Sequence, residues 1–159
     1  MSRTQRISLT VNGETVAAHV PVRKNLVDFL REDLGLTGSH VGCEHGVCGA
    51  CTLEVDGQPV RACLMLAVQA DGASVTTVEG LADSGRSDAL RTAFAERNAL
   101  QCGYCTPGML ASALEYIDGG GKSDRTAIRE HLSGNYCRCT GYQAIVDAVC
   151  DVIEGRVGA

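Results

Sequence analysis

The 159-residue sequence has no tryptophan, and aromatic residues make up only 4% of it. A chain with so few aromatic side chains has little with which to stack nucleic-acid bases. Its formal net charge of -5 opposes binding to phosphate backbones and to anionic lipid. The longest apolar run, Ala62 to Val68, is far too short to cross a bilayer. The sequence therefore predicts neither nucleic-acid binding nor membrane insertion.

The sequence also lacks an export signal. Its first ten residues carry Arg3 and Arg6 but no apolar stretch of the kind that signal peptides contain. The cysteine count is nine, an odd number, and an odd count without an export signal argues against a disulfide framework. We therefore expect a cytoplasmic protein whose cysteines do something other than form disulfides.

Eight of the nine cysteines fall into two sets of four. The first set has the spacing C-x4-C-x2-C, followed after eleven residues by a fourth cysteine, which is typical of plant-type 2Fe-2S sites. The second set combines a C-x2-C pair with a C-x-C pair thirty-one residues later. The first set comprises Cys43, Cys48, Cys51 and Cys63, and the second comprises Cys102, Cys105, Cys137 and Cys139.

The first set predicts a 2Fe-2S cluster. Such a cluster takes four soft thiolates and is tuned by backbone N-H groups that approach its sulfur atoms. Gly42, Gly46 and Gly49 lie within the same loop, and we expect them to take positive φ and to bring N-H groups close to the cluster without a Cβ clash. A thioredoxin-like dithiol at Cys48 and Cys51 is the weaker reading, because that motif needs no third or fourth cysteine.

The second set leaves two interpretations open. A C-x2-C pair combined with a C-x-C pair is unusual for structural zinc, which favours a second 2Fe-2S cluster. A zinc site remains the alternative. Two clusters in one small chain would indicate an electron relay.

We find no serine, histidine and aspartate set and no carboxylate pair, so we expect no catalytic residue in this chain. Cys150 lies on an apolar helical stripe and is predicted to be a core residue.

The hydrophobic pattern changes near the middle of the chain. Before residue 79 it alternates with period two, with turns at Asn12-Gly13 and Asp56-Gly57 and one helix beginning at Asn25, which predicts a β-grasp sheet. After residue 83 the period is 3.6, which predicts four helices over 88–98, 107–117, 124–132 and 142–153. The predicted class is α+β, with domains at 1–80 and 81–159.

Three stretches carry a resemblance to a known family. The segments GCEHGVCGACT (42–52), QCGYCTPGM (101–109) and GNYCRCTGY (134–142) resemble the iron-sulfur small subunit of the molybdenum hydroxylases, the xanthine oxidase and carbon monoxide dehydrogenase group. The resemblance covers nearly the whole chain, and Arg61-Ala62-Cys63-Leu64 fits the fourth ligand of the first cluster.

The resemblance implies a plant-type ferredoxin-like N-terminal domain and a helical C-terminal domain, each holding one 2Fe-2S cluster. It implies a large subunit that carries molybdenum on a molybdopterin, expected to be the cytosine dinucleotide, and a medium subunit that carries FAD. The three subunits would form a heterotrimer, doubled as a dimer of trimers. In this arrangement the small subunit relays electrons from molybdopterin to FAD, and the substrate is unknown.

The resemblance also assigns two residues beyond the ligands. Gln101 matches a residue that hydrogen-bonds the pterin, and the sulfur of Cys139 matches one that contacts the pterin amine. The second cluster would then lie nearer to molybdenum and the first nearer to FAD. Two other functions stay open: a free-standing two-cluster ferredoxin that shuttles between enzymes, and a zinc-stabilised interaction module.

Overall fold

A single mixed sheet occupies the first half of the chain. The computed structural model describes residues 3–157. The strand order is β2-β1-β5-β3-β4; β1 pairs in parallel with β5, and the other neighbouring strands pair antiparallel. The strands are β1 (Thr4–Val11), β2 (Glu14–Pro21), β3 (Thr52–Val55), β4 (Gln58–Arg61) and β5 (Ser74–Thr76). Both predicted hairpins, at Asn12-Gly13 and Asp56-Gly57, are confirmed by this pairing.

One short helix packs on the sheet. It begins as α1 (Leu26–Asp28) and continues as a π-helical segment over Phe29–Asp33. Asn25 caps its start, because the Asn25 side chain accepts a hydrogen bond of 2.8 Å from the backbone N-H of Asp28. Leu26, Phe29 and Leu30 are fully buried, so this helix supplies much of the core beneath the sheet.

The second half of the chain is helical. Its helices are α2 (Val78–Asp83), α3 (Asp88–Glu96), α4 (Thr106–Asp118), α5 (Arg125–His131) and α6 (Gln143–Ile153). The last four match the predicted helices to within two residues at each end. Helix α4 is the central one, since every residue from 107 to 114 is buried.

Helix α2 was not predicted, because the period-two pattern was expected to continue to residue 78. The strand ends early for a local reason. Asn12 accepts the backbone N-H of Thr77 at 2.9 Å and donates to the Thr77 hydroxyl at 2.9 Å. The Thr77 N-H is therefore occupied by a side chain instead of a neighbouring strand, and the chain turns into a helix.

The buried side chains form two hydrophobic clusters. One lies between the sheet and α1 and includes Ile7, Leu53 and Phe29, and the other lies among α2 to α6 and includes Phe94 and Met109. Cys150 belongs to the second cluster with 3% exposure, which confirms its predicted place in the core. The predicted α+β class is confirmed, whereas the domain boundary after residue 80 stays a prediction.

None of the helices between residues 3 and 157 is long and apolar enough to cross a membrane.

Candidate metal centres

The first cysteine set lies in the long loop that leads into β3, with its fourth member just after β4. The backbone N-H of Cys48 lies 3.4 Å from the sulfur of Cys43. Cys63 and Cys48 both lie close enough to the Cys51 thiol to raise its pKa. The structure therefore brings the four predicted residues together as two neighbouring pairs.

Two thiols of this set have opposite environments. Backbone hydrogen bonds, first from Cys48 and then from His45, lower the pKa of Cys43 to about 6. Burial raises the pKa of Cys51 to about 11. The loop thus stabilises one thiolate with its own N-H groups, whereas the buried thiol needs a nearby cation to ionise. Bound iron would supply that charge.

Two of the three predicted loop glycines have the expected conformation. Gly46 has φ of 84° and Gly49 has φ of 76°, which confirms the expected backbone conformation at these two positions. The prediction was wrong for Gly42, whose φ is not positive. The expected need to avoid a Cβ clash does apply to Gly42, because a Cβ there would lie 3.0 Å from the sulfur of Cys48. Glu44, which was not predicted to be unusual, has φ of 57°.

The second cysteine set is assembled from two loops. The loop before α4 carries Cys102 and Cys105, and the loop before α6 carries Cys137 and Cys139. The sulfur atoms of Cys102 and Cys139 lie 3.6 Å apart. Cys137 lies close enough to the Cys105 thiol to raise its pKa. These residues also meet as two pairs, although thirty-one residues separate the two motifs in the sequence.

The thiols of the second set also differ in their pKa. Burial raises the pKa of Cys105 to about 12. Burial also acts to raise the pKa of Cys137. Hydrogen bonds, led by the one from the Thr140 hydroxyl, outweigh burial, so the pKa of Cys137 is lowered. The Thr140 oxygen lies 3.1 Å from the Cys137 sulfur. Each set therefore contains a thiol favoured as thiolate and a second thiol, buried at Cys51 and half-buried at Cys105, that is not.

Tyr142 holds the backbone of this second loop. The backbone N-H of Cys137 donates to the Tyr142 hydroxyl at 2.9 Å, and Tyr142 itself has φ of 68°. A bulky residue in the left-handed region is uncommon and costs conformational energy. Tyr142 was not among the site residues predicted from the sequence. The signal that could have identified it is its place directly after Gly141, at the start of α6.

The two predicted pterin contacts lie side by side. The Gln101 amide donates to the backbone oxygen of Cys139 at 3.0 Å, and both residues are exposed. Cys102 is exposed as well. The second set therefore reaches the protein surface at Gln101 and Cys139, and their role toward a pterin stays a prediction.

The two cysteine sets are close neighbours in the fold. A cavity between them is lined by residues of both, including Gly42, Cys48, Cys105 and Cys137. Tyr104 ties the two loops, because its hydroxyl donates to the Val41 carbonyl at 2.7 Å.

His40 reinforces this connection. Its ring stacks on Tyr104 with centroids 4.5 Å apart. The partner lies sixty-four residues away in the sequence, so no local pattern identified it.

The donors of both sites are thiols, which suit iron-sulfur clusters. Among residues 3–157, no three His, Cys, Asp or Glu side chains are arranged around a single ion position. A 2Fe-2S cluster takes two thiolates on each iron, so four thiols in two pairs are the arrangement it requires. The backbone N-H contacts to sulfur and the absence of a Cβ at Gly42 also fit such a group.

Comparisons with known families agree with this chemistry. Residues 9–85 match the family described as "2Fe-2S iron-sulfur cluster binding domain", and residues 77–150 match "[2Fe-2S] binding domain". Together the two matches define a chain with two 2Fe-2S-binding domains.

Known proteins with similar sequences and structures are more specific. The chain is 57% identical to caffeine dehydrogenase subunit gamma of Pseudomonas sp. (strain CBB1), over 92% of this chain and 89% of that one. It is 51% identical to the nicotine 6-hydroxylase small subunit of Paenarthrobacter nicotinovorans, over 96% and 91%. Among solved structures, quinoline 2-oxidoreductase from Pseudomonas putida 86 matches with a TM-score of 0.91 and 50% identity, covering 98% of this chain and 97% of the matched chain.

The chain belongs to the iron-sulfur small subunits of the molybdenum hydroxylases. The family predicted from the three sequence motifs is thereby confirmed.

Proposed function

We propose that this chain is the electron-transfer small subunit of a heterotrimeric molybdenum hydroxylase. It relays electrons from the molybdopterin centre of a large subunit, through two 2Fe-2S clusters, to FAD on a medium subunit. The observation that carries the proposal is the pairing of eight thiols into two adjacent sets. One cluster is held by Cys43, Cys48, Cys51 and Cys63, and the other by Cys102, Cys105, Cys137 and Cys139.

The exposure of the two sets supports a direction for the relay. Gln101 and Cys139 lie together on the surface, where a pterin on a partner could reach them. This is the side we assign to the large subunit. In this assignment Gln101 donates hydrogen bonds to the pterin, and Cys139 links the pterin to the second cluster.

Exposed apolar side chains support two partner contacts. Leu64, which follows Cys63, is 62% exposed, and Val47, which precedes Cys48, is 46% exposed. Tyr104 and Tyr136 are 49% and 54% exposed beside the second set. Exposed apolar groups concentrated at two places mark interaction surfaces. We assign the surface at Leu64 to the FAD subunit and the surface at Tyr136 to the molybdopterin subunit.

Several finer features belong to the same proposal. The cofactor of the large subunit is molybdopterin cytosine dinucleotide, and two heterotrimers associate as a dimer. The relatives are named for caffeine, nicotine and quinoline, which favours a nitrogen heterocycle as the substrate of the holoenzyme. The chain divides into domains at 1–80 and 81–159. The cytoplasmic location stays a prediction, which fractionation of native cells would test.

Purification from the native host tests the proposed function. We expect an affinity-tagged chain to copurify with a molybdenum subunit and an FAD subunit in equal amounts. Cys105→Ala should abolish the EPR signal of one cluster and leave the other. Cys150→Ala is the matched control, because Cys150 is a core residue away from both sets, and both signals should remain.

The alternatives give different results. A free-standing ferredoxin would show both EPR signals but would copurify with neither partner. A zinc-stabilised module would be colourless and would contain zinc in place of iron. Either result would contradict the proposed subunit role.

A further inference from the structure

The loops that carry the two cysteine sets touch directly. The backbone N-H of Tyr136 donates to the carbonyl of Cys48 at 2.8 Å. Cys48 belongs to the first set, and Tyr136 directly precedes Cys137 of the second. A single hydrogen bond therefore connects a proposed ligand of one cluster to the neighbour of a proposed ligand of the other.

Glycines allow this close approach. A Cβ on Gly49 would lie 2.6 Å from the Gly134 carbonyl oxygen, and a Cβ on Gly108 would overlap the Gly49 carbonyl. Gly49 lies between Cys48 and Cys51, and Gly108 follows Cys105 by three residues. We call the contact among Gly49, Gly108, Gly134 and Asn135 the loop junction.

Asn135 is the polar centre of the loop junction. It is only 3% exposed. Its amide nitrogen donates to the Gly49 carbonyl at 3.2 Å, and its oxygen accepts from Ser112 at 3.0 Å. Asn135 thus binds the first cysteine loop on one side and helix α4 on the other.

Arg61 completes the arrangement from the sheet. Its Nη2 donates to the Gly134 carbonyl at 2.8 Å and to the Asn135 side-chain oxygen at 3.2 Å. Its Nη1 donates to the Thr52 hydroxyl. Thr52 in turn donates to the Gly49 carbonyl at 2.6 Å. A buried polar group that is left without its hydrogen-bond partner destabilises the fold. This network therefore resists any change in the spacing of the two loops.

We propose that Asn135 is a positioning residue that sets the separation and orientation of the two clusters. The inference rests on the proposed function, since it needs a cluster on each cysteine set. The Asn135 side chain makes its hydrogen bonds to Gly49, Ser112, Thr52 and Arg61 and not to a cysteine sulfur. It acts through Gly49 on the first loop and through its own backbone on the second.

The test uses Asn135→Asp in the purified complex. Aspartate keeps the acceptor for Arg61 and Ser112 but places a carboxylate oxygen against the Gly49 carbonyl, which should push the two loops apart. Arg61→Met is a second variant that removes the sheet side of the same network. Ser112→Ala is the matched control, because it removes a hydrogen bond to Asn135 that lies within the helical half.

The readout is the magnetic coupling between the clusters. Full reduction with dithionite leaves the two clusters as paramagnetic centres, and the splitting of their EPR lines at low temperature falls steeply with their separation. We expect the splitting to be lost or clearly reduced in Asn135→Asp and Arg61→Met and unchanged in Ser112→Ala. Amide hydrogen exchange at Tyr136 should become faster in the first two variants only.

Each result has a distinct meaning. Unchanged splitting and unchanged Tyr136 exchange in both variants, with both clusters retained, would overturn the positioning role. Loss of a cluster in both variants would also overturn it, because the junction would then retain clusters and not space them. A wild-type complex without two cluster signals would instead overturn the proposed function.

Discussion

Gly108 lies in helix α4, where alanine would ordinarily stabilise the protein. Replacing a helical glycine by alanine is worth about 1 kcal/mol in helix propensity. The surroundings of Gly108 oppose this gain. A Cβ there would overlap the Gly49 carbonyl oxygen and would lie 3.1 Å from its carbonyl carbon and 3.2 Å from the Asn135 amide nitrogen.

The neighbour that the new Cβ would meet is backbone, so it cannot turn away like a flexible side chain. Either α4 or the first cysteine loop must move. Overpacking of this kind costs about 1–3 kcal/mol, and a backbone neighbour places the cost in the upper part of that range. After the propensity gain is subtracted, we expect Gly108→Ala to be destabilised by about 1–2 kcal/mol.

Thermal unfolding of the purified chain would measure this change. For a chain of this length, a loss of about 1–2 kcal/mol corresponds to a fall in Tm of about 2–8 °C. Ala95→Gly on the exposed face of α3 is the control, because it reports the helix-propensity difference without a steric contact. A Tm for Gly108→Ala equal to or above that of the wild type would refute the steric argument.

Three further predictions concern stability and cluster potential. Arg86→Met leaves the buried Glu54 carboxylate without its bidentate partner and should cost about 2 kcal/mol in urea unfolding; an unchanged midpoint would contradict this. Arg97 holds the pKa of Asp151 below its ordinary value. The ionised Asp151 therefore stabilises the fold above about pH 4, and this stabilisation is lost as pH falls through the lowered pKa. Asp151→Asn should therefore lower Tm at pH 7 and have little effect at strongly acidic pH, and a pH-independent difference would oppose it. Tyr142→Phe removes the hydroxyl that accepts the backbone N-H of Cys137 beside the second set. A redox titration should show a higher reduction potential for one cluster and no change for the other.

Sequence patterns were sufficient to predict the two cysteine sets, the two hairpins and the four longer helices. These features depend on local patterns, namely metal-ligand spacing, turn residues and hydrophobic period. The spacing grouped Cys102 and Cys139 in one set, but it did not predict that these two sulfur atoms would be neighbours within the set. The contact itself arises because the loops before α4 and α6 meet in the folded chain.

The features that sequence reasoning missed depend on contacts between distant segments. Asn135 gains its role from Gly49, eighty-six residues earlier, and His40 gains its partner from Tyr104. Gly42 was expected to supply both a positive φ and space beside the cluster, and it supplies only the space, next to the Cys48 sulfur. A glycine in a cysteine-rich loop can serve either to adopt a positive φ or to let another group approach closely. The sequence does not distinguish these two roles, and the structure does.

The most direct test of the account is quantitative EPR with iron analysis on the purified chain. The account predicts two distinct signals after reduction by dithionite, of equal spin intensity, with two irons for each cluster. Cys51→Ala should remove one signal and Cys137→Ala the other. A single signal, or zinc in place of iron at either cysteine set, would contradict the claim that this chain holds two 2Fe-2S clusters.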